Sequence, residues 1–203
     1  MDSEPVIASQ DQPPLRPSVL PPLTGQETFN GVDATVADFW RFAMSDLRMN
    51  NTRGYLAEFL VARAVGAEGM RVEWDEYDVL TPGGIRIEVK SSAYLQNWEQ
   101  RNLSRIQFSG LSRKADTTGG GEGPAEGTYH ADVYVFAVQT ATSHTGNDPL
   151  DVRQWDFYVL ARQTIVALGQ RSLGLAALAR LTDGAVTYAE LAAAIHQAAA
   201  RRP

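Results

Sequence analysis

Few stretches of the 203-residue chain combine residue types that could do chemistry together, and one stands out. It runs Tyr77-Asp78-Val79-Leu80, then Thr81-Pro82-Gly83-Gly84, then Ile85-Arg86-Ile87-Glu88-Val89-Lys90-Ser91-Ser92. The flanks alternate in polarity as strands do, and the Pro-Gly-Gly segment between them is a turn signal. A three-residue loop over Pro82 to Gly84 suits the glycine at its last position, where a left-handed backbone is required. That loop sets Val79 opposite Ile87 and Asp78 opposite Glu88, with Lys90 two residues further on the same face. Slipping the register by one residue would part the two carboxylates. Carboxylates gathered this closely repel unless a cation or a proton lies between them. An oxygen-rich pair with room for water suits Mg²⁺, with Mn²⁺ as a substitute. Such an ion can polarise a phosphate and acidify a bound water, while Lys90 orients that water or offsets growing negative charge.

A third carboxylate precedes the hairpin. Glu58 lies mid-way along a predicted helix from Thr52 to Val65, whose residues Tyr55, Leu56, Phe59, Leu60, Val61 and Val65 are apolar nearly all round, as in a buried helix. From there Glu58 could support a metal or its water shell. Arg53 and Arg63 flank it five residues to either side, and at least one of them is expected to be an ion-pair partner. An acid-x-Lys triplet alone is weak, since charges alternating along a strand usually mark a solvated sheet face. Glu58, Asp78, Glu88 and Lys90 carry weight only in combination.

Together these residues resemble the PD-(D/E)xK, or restriction-endonuclease-like, nuclease superfamily. Glu58 matches its helical acid, Asp78 its hairpin acid, and Glu88 with Lys90 its (D/E)-x-K element. Tyr77 stands where the formal pattern has proline. The resemblance covers residues 52–92 most closely and extends over 30–162 as a core fold. It implies a mixed β-sheet flanked by α-helices and Mg²⁺-dependent phosphodiester hydrolysis, usually of DNA, in restriction, phage defence, repair or mobile-element processing. It also implies that the backbone carbonyl of Val89 joins Asp78, Glu88 and Glu58 at the metal. A separate specificity or motor subunit and a homodimer are partners consistent with it. The competing reading is a catalytically silent module of the same fold that binds nucleic acid or a protein.

Other segments must position this hairpin. Residues 1–28 hold six of the ten prolines and few large apolar side chains, the composition of a disordered arm. Residues 29–203 are expected to be one nuclease-like α/β domain, with a core over 30–162 and a helical part over 163–200. Val36, Phe39, Trp40, Ala43 and Leu47 recur at helical spacing between Asp33 and Met49 and predict a stripe facing a core, with Asp33 or Thr35 as cap. Val72 to Trp74, Tyr77 to Leu80, Ile85 to Lys90, Ile106 to Phe108, Ala131 to Val138 and Trp155 to Leu160 read as strands, while 163–181 reads as mixed or helical. Thr187 and Glu190 form a capping box that opens a last helix.

Charge and composition narrow the field. The net charge of −6 argues against a general polyanion-binding surface, though Arg101, Arg105, Arg113 and Lys114 cluster without an intervening acid. With Gln107, Ser91 and Ser92 they are the candidates for contacting a phosphate backbone. Gln107 would approach the site if its strand paired beside Glu88. Of the 18 basic residues only Lys90 and Lys114 are lysine, so a lysine in this chain is conspicuous. Zero cysteines exclude disulfides and thiolate chemistry. Histidines at metal-ligand spacing, a nucleophile elbow and a P-loop are all missing. With no apolar run of membrane-spanning length and no basic-then-apolar start, the expected setting is cytoplasmic.

Overall fold

The computed structural model describes residues 20–71, 76–111 and 129–201. The chain divides into two compact units, with the boundary in sequence between Ala43 and Met44.

In the first unit the Glu27 carboxylate accepts from the N–H groups of Thr24 and Gly25 and from the Thr24 hydroxyl, closing a tight turn. Gly25 has φ +94°, and a Cβ there would lie 3.0 Å from the Trp40 ring, so turn and packing both require glycine. A bridge between Thr28 and Thr35 leads into α1 (Val36–Met44). Thr35 caps it: the Asp38 N–H donates to its hydroxyl at 3.3 Å, and its own N–H donates to the Asp38 carboxylate at 2.9 Å. The expected core-facing stripe is not realised. No residue of α1 is buried, and Phe42 is 91 % exposed. A unit this short has too little chain to close a core around a helix face.

The second unit carries the α/β arrangement expected from the sequence, a mixed sheet flanked by helices. In chain order it holds α2 (Asn50–Ala64), β1 (Val79–Leu80), β2 (Arg86–Ala93), β3 (Gln107–Ser109), β4 (Val133–Gln139), β5 (Trp155–Ala161), α3 (Arg162–Leu168), β6 (Ser172–Gly174), α4 (Leu175–Leu181) and α5 (Tyr188–Ala200). The main sheet runs β1-β2-β4-β5, with β2 and β4 parallel and the outer pairs antiparallel. One face of it, including Ile87, Val89, Val133, Val135 and Phe157, packs with Ala57 and Val61 of α2 and Leu191 and Ile195 of α5. On the other, Tyr134, Phe136, Tyr158 and Leu160 pack with Phe108, Leu173, Ile165 and Leu178. All of β4 is buried, which is why Val133 to Val138 are an unbroken apolar run, closed by the buried Gln139.

The region 163–181 is mixed, as expected: two short helices separated by β6, which pairs with β3 as a second, two-stranded sheet. Two expectations are corrected. The strand around Tyr77 to Leu80 shortens to two residues. Tyr55 and Phe59 of α2 are 39 % and 58 % exposed, so that helix buries one side and not its whole circumference. The expected strand Val72 to Trp74 lies outside the described residues. The capping box at α5 is present, with Glu190 accepting from the Thr187 N–H at 2.9 Å. Among the described residues no helix is long and apolar enough to cross a membrane.

The entry to the central parallel pair is fixed by Asp132. Its carboxylate accepts the backbone N–H of Arg86 at 3.0 Å and the Arg86 guanidinium at 3.0 and 3.1 Å. Asp132→Ala removes all three of these hydrogen bonds and takes the acceptor from a main-chain donor. It is expected to lower stability by about 1–3 kcal/mol in urea denaturation.

Candidate active site

The hairpin forms in the expected register. Val79 pairs with Ile87 and Leu80 with Arg86, the Thr81 N–H donates to the Ile85 carbonyl, and Gly84 takes φ +80° at the loop's last position. The ladder stops at Val79. Beyond it the Asp78 N–H donates to the Ile87 carbonyl at 3.0 Å, and the Asp78 carboxylate accepts the Val89 N–H at 2.7 Å. A side chain thus replaces a main-chain rung at the sheet edge, bringing the Asp78 carboxylate against the backbone between Glu88 and Lys90.

Strand alternation puts Glu88 and Lys90 on the face opposite Ile87 and Val89. The Lys90 ammonium lies 2.6 Å from a Glu88 carboxylate oxygen, in a half-buried pair. Burial first, and the charge of Glu88 after it, push the Asp78 carboxyl up to about 6. The hydrogen bond from Val89 opposes this, Glu58 adds to it, and Lys90 counters it. Glu88, Glu58 and Lys90 therefore all act on the Asp78 carboxyl.

Glu58 is held differently from expectation. Arg71 grips it, with Nε 2.5 Å from one carboxylate oxygen, and the same guanidinium sits 4.6 Å from the Tyr55 ring centroid. Neither Arg53 nor Arg63 takes that part. Arg53 is buried and donates to the Arg48 carbonyl and to the Asn50 side chain. Arg71, thirteen residues beyond Glu58 and past the helix end, has no periodic relation that would have announced it.

Two further residues bear on the centre. Tyr134 on β4 lies beside Glu88 in the parallel register. Burial, and after it the charge of Glu88, push its phenol up, so the hydroxyl stays protonated near that carboxylate. Gly110, just past β3, lies against Lys90: a Cβ there would stand 4.0 Å from Nζ.

The remaining candidates separate. Ser92 is buried on the Lys90 face, whereas Ser91 faces α2, its hydroxyl 4.0 Å from the position of a Cβ on Gly54. Alternation prevents both from addressing one phosphate. Gln107 is exposed on β3, which pairs with β6 and not beside Glu88, so the anticipated route to the site is not the one taken. Arg101 and Arg105 are exposed. Arg113 and Lys114 lie outside the described residues.

Among the described residues no three His, Asp or Glu side chains converge as a ready-made metal cage. What is present is a desolvated carboxylate pair whose mutual repulsion a cation would relieve, and all-oxygen donors of this kind fit a hard divalent ion that keeps part of its water.

Fold and site together define a class: an α/β protein with a mixed sheet and a carboxylate–lysine cluster at its hairpin edge. More specifically, the chain belongs to the bacteriophage T4 endonuclease IV family, a nuclease family whose profile matches residues 37–171, about two thirds of the sequence. The match spans Glu58, Asp78, Glu88 and Lys90. No curated protein matches the chain.

Proposed function

We propose that this chain is a metal-dependent endonuclease of the PD-(D/E)xK type that hydrolyses phosphodiester bonds in DNA, with Mg²⁺ as its ion and Mn²⁺ as a substitute. The observation that carries this reading is the Asp78 carboxyl, raised to about 6 beside Glu88, with the Lys90 ammonium 2.6 Å from Glu88. Raised carboxyls next to a specific charge partner mark sites where ionisation serves chemistry. Membership in an endonuclease family supports the same conclusion.

Asp78, Glu88 and the main-chain carbonyl of Val89 would hold the ion. Bound there, it would supply Lewis-acid polarisation of the phosphate and a more acidic water. Lys90 donates from Nζ to the attacking water or to a non-bridging phosphate oxygen, where its charge opposes the negative charge that grows as the bond forms. Glu58, oriented by Arg71, offers an acceptor to the surrounding water. The apolar packing beneath Val89 keeps the strand from shifting these groups.

Purified chain incubated with supercoiled plasmid, linear duplex and single strands is expected to cut at least one of them with Mg²⁺ or Mn²⁺ and none in EDTA. Cleavage that persists in EDTA would overturn the metal requirement. A wild type that cuts nothing with either ion would overturn the nuclease reading.

A further inference from the structure

A cavity of about 760 Å³ opens on the sheet face that carries Glu88 and Lys90. Tyr158 forms part of its lining and stands in lateral register with Phe136, which is itself in register with Lys90. Tyr94, Ile106, Leu175 and small residues of β6 and α4 add flat or apolar wall, and Arg105 and Arg180 also line it as exposed residues. Among the described residues neither arginine is engaged by a carboxylate. Two guanidinium groups with no carboxylate partner among the described residues, beside an apolar interior that includes two tyrosines, select a ligand with a flat apolar body and an anionic handle.

One strand joins the cavity wall to the Lys90 neighbourhood. Ile106 lines it and Gly110 lies against the Lys90 amine, with β3 running between them. Four residues of strand span about 13 Å. At ~3.4 Å per stacked nucleotide this is about four steps of a nucleic-acid strand, and fewer where bases are unstacked.

We propose that this cavity receives an unstacked nucleobase of the strand being cut, within a few nucleotides of the phosphate at Lys90, with Arg105 and Arg180 on the flanking phosphates. The assignment to a strand under cleavage rests on the nuclease reading above. Tyr94 and Tyr158 provide the ring faces against which a base packs, an interaction that every base can make and that a shaped pocket makes selective.

The test is an NMR titration of the full chain in EDTA with the four deoxynucleoside 5′-monophosphates, deoxyribose 5-phosphate and a short oligonucleotide. The Tyr94 and Tyr158 ring signals are expected to shift saturably with at least one nucleotide and not with the sugar phosphate. The oligonucleotide is expected to act at lower concentration than the monomers. Arg180→Ala and Tyr94→Leu, each checked for a native spectrum, are expected to weaken binding ~10-fold or more. No shift with any nucleotide, or an equal shift with the sugar phosphate, would overturn the pocket. Monomers binding better than the oligonucleotide would make it a free-nucleotide site and overturn the strand proposal. Because the titration needs no cleavage, a protein that cuts DNA without nucleotide shifts removes the pocket alone. One that binds nucleotides here but cuts nothing keeps the pocket and removes the nuclease.

Discussion

In metal-free buffer above pH 6, Asp78→Asn is expected to be more stable than the wild type by about 1–3 kcal/mol, while losing cleavage. The sign follows from the raised carboxyl. Asp78 binds its proton more tightly in the folded chain, at about 6, than at its ordinary value of 3.8. Between those values the folded state holds more protons than the unfolded one, so this residue's contribution to stability falls as pH rises through the window. Below 3.8 both states are protonated and the cost is absent; above 6 it is complete. Asparagine keeps an oxygen to accept the Val89 N–H but carries no charge to set against Glu88 and Glu58. The difference between the two proteins should thus widen from pH 4 to pH 7 in urea titrations. Equal stability at both ends would show that Asp78 is not held at this cost. A residue that weakens the resting fold at neutral pH makes sense when ionisation is what the site requires.

Lys90→Ala is expected to lower cleavage by about 10²–10³-fold with little change in DNA affinity, because its charge acts mainly where charge grows in the transition state. The same substitution removes a neighbour that holds the Asp78 carboxyl down, so that carboxyl is expected to titrate higher still by NMR. This spectroscopic change separates a positioned ammonium from a residue that merely packs. Lys90→Arg is expected to recover little. A planar guanidinium does not reproduce a compact ammonium 2.6 Å from Glu88, and Gly110 leaves space shaped for the smaller head. Sixteen of the eighteen basic residues in this chain are arginine, which makes a lysine here the more telling. A Lys90→Ala protein cutting at the wild-type rate would remove it from the mechanism.

The hairpin was legible in the sequence because its determinants are local. A glycine at the third loop position and strict alternation on either side leave one register in which Val79 meets Ile87. The same holds for the α5 capping box and for β4 and β5, whose apolar runs admit little else. What escaped depends on pairings distant in sequence. The match of β3 to β6 joins two three-residue strands across a long intervening stretch, too short for either to declare itself. Tyr134 lands beside Glu88 only once the parallel offset of β2 and β4 is set, and no turn fixes that offset. Arg71 reaches Glu58 from beyond the end of α2, and by lying over Tyr55 it accounts for an aromatic that periodicity assigned to the core. In α1 the helical period is realised over Val36–Met44, but amphipathicity does not supply a partner for the apolar face.

Calorimetric titration of Mn²⁺ into the wild type, Asp78→Asn and Glu88→Gln tests whether the Asp78–Glu88 pair is an ion-binding centre. The expected result is saturable binding by the wild type, with proton release below pH 6, and loss of that binding in both variants. Undiminished binding in both variants, or no binding by a wild type that still cuts DNA, would contradict it.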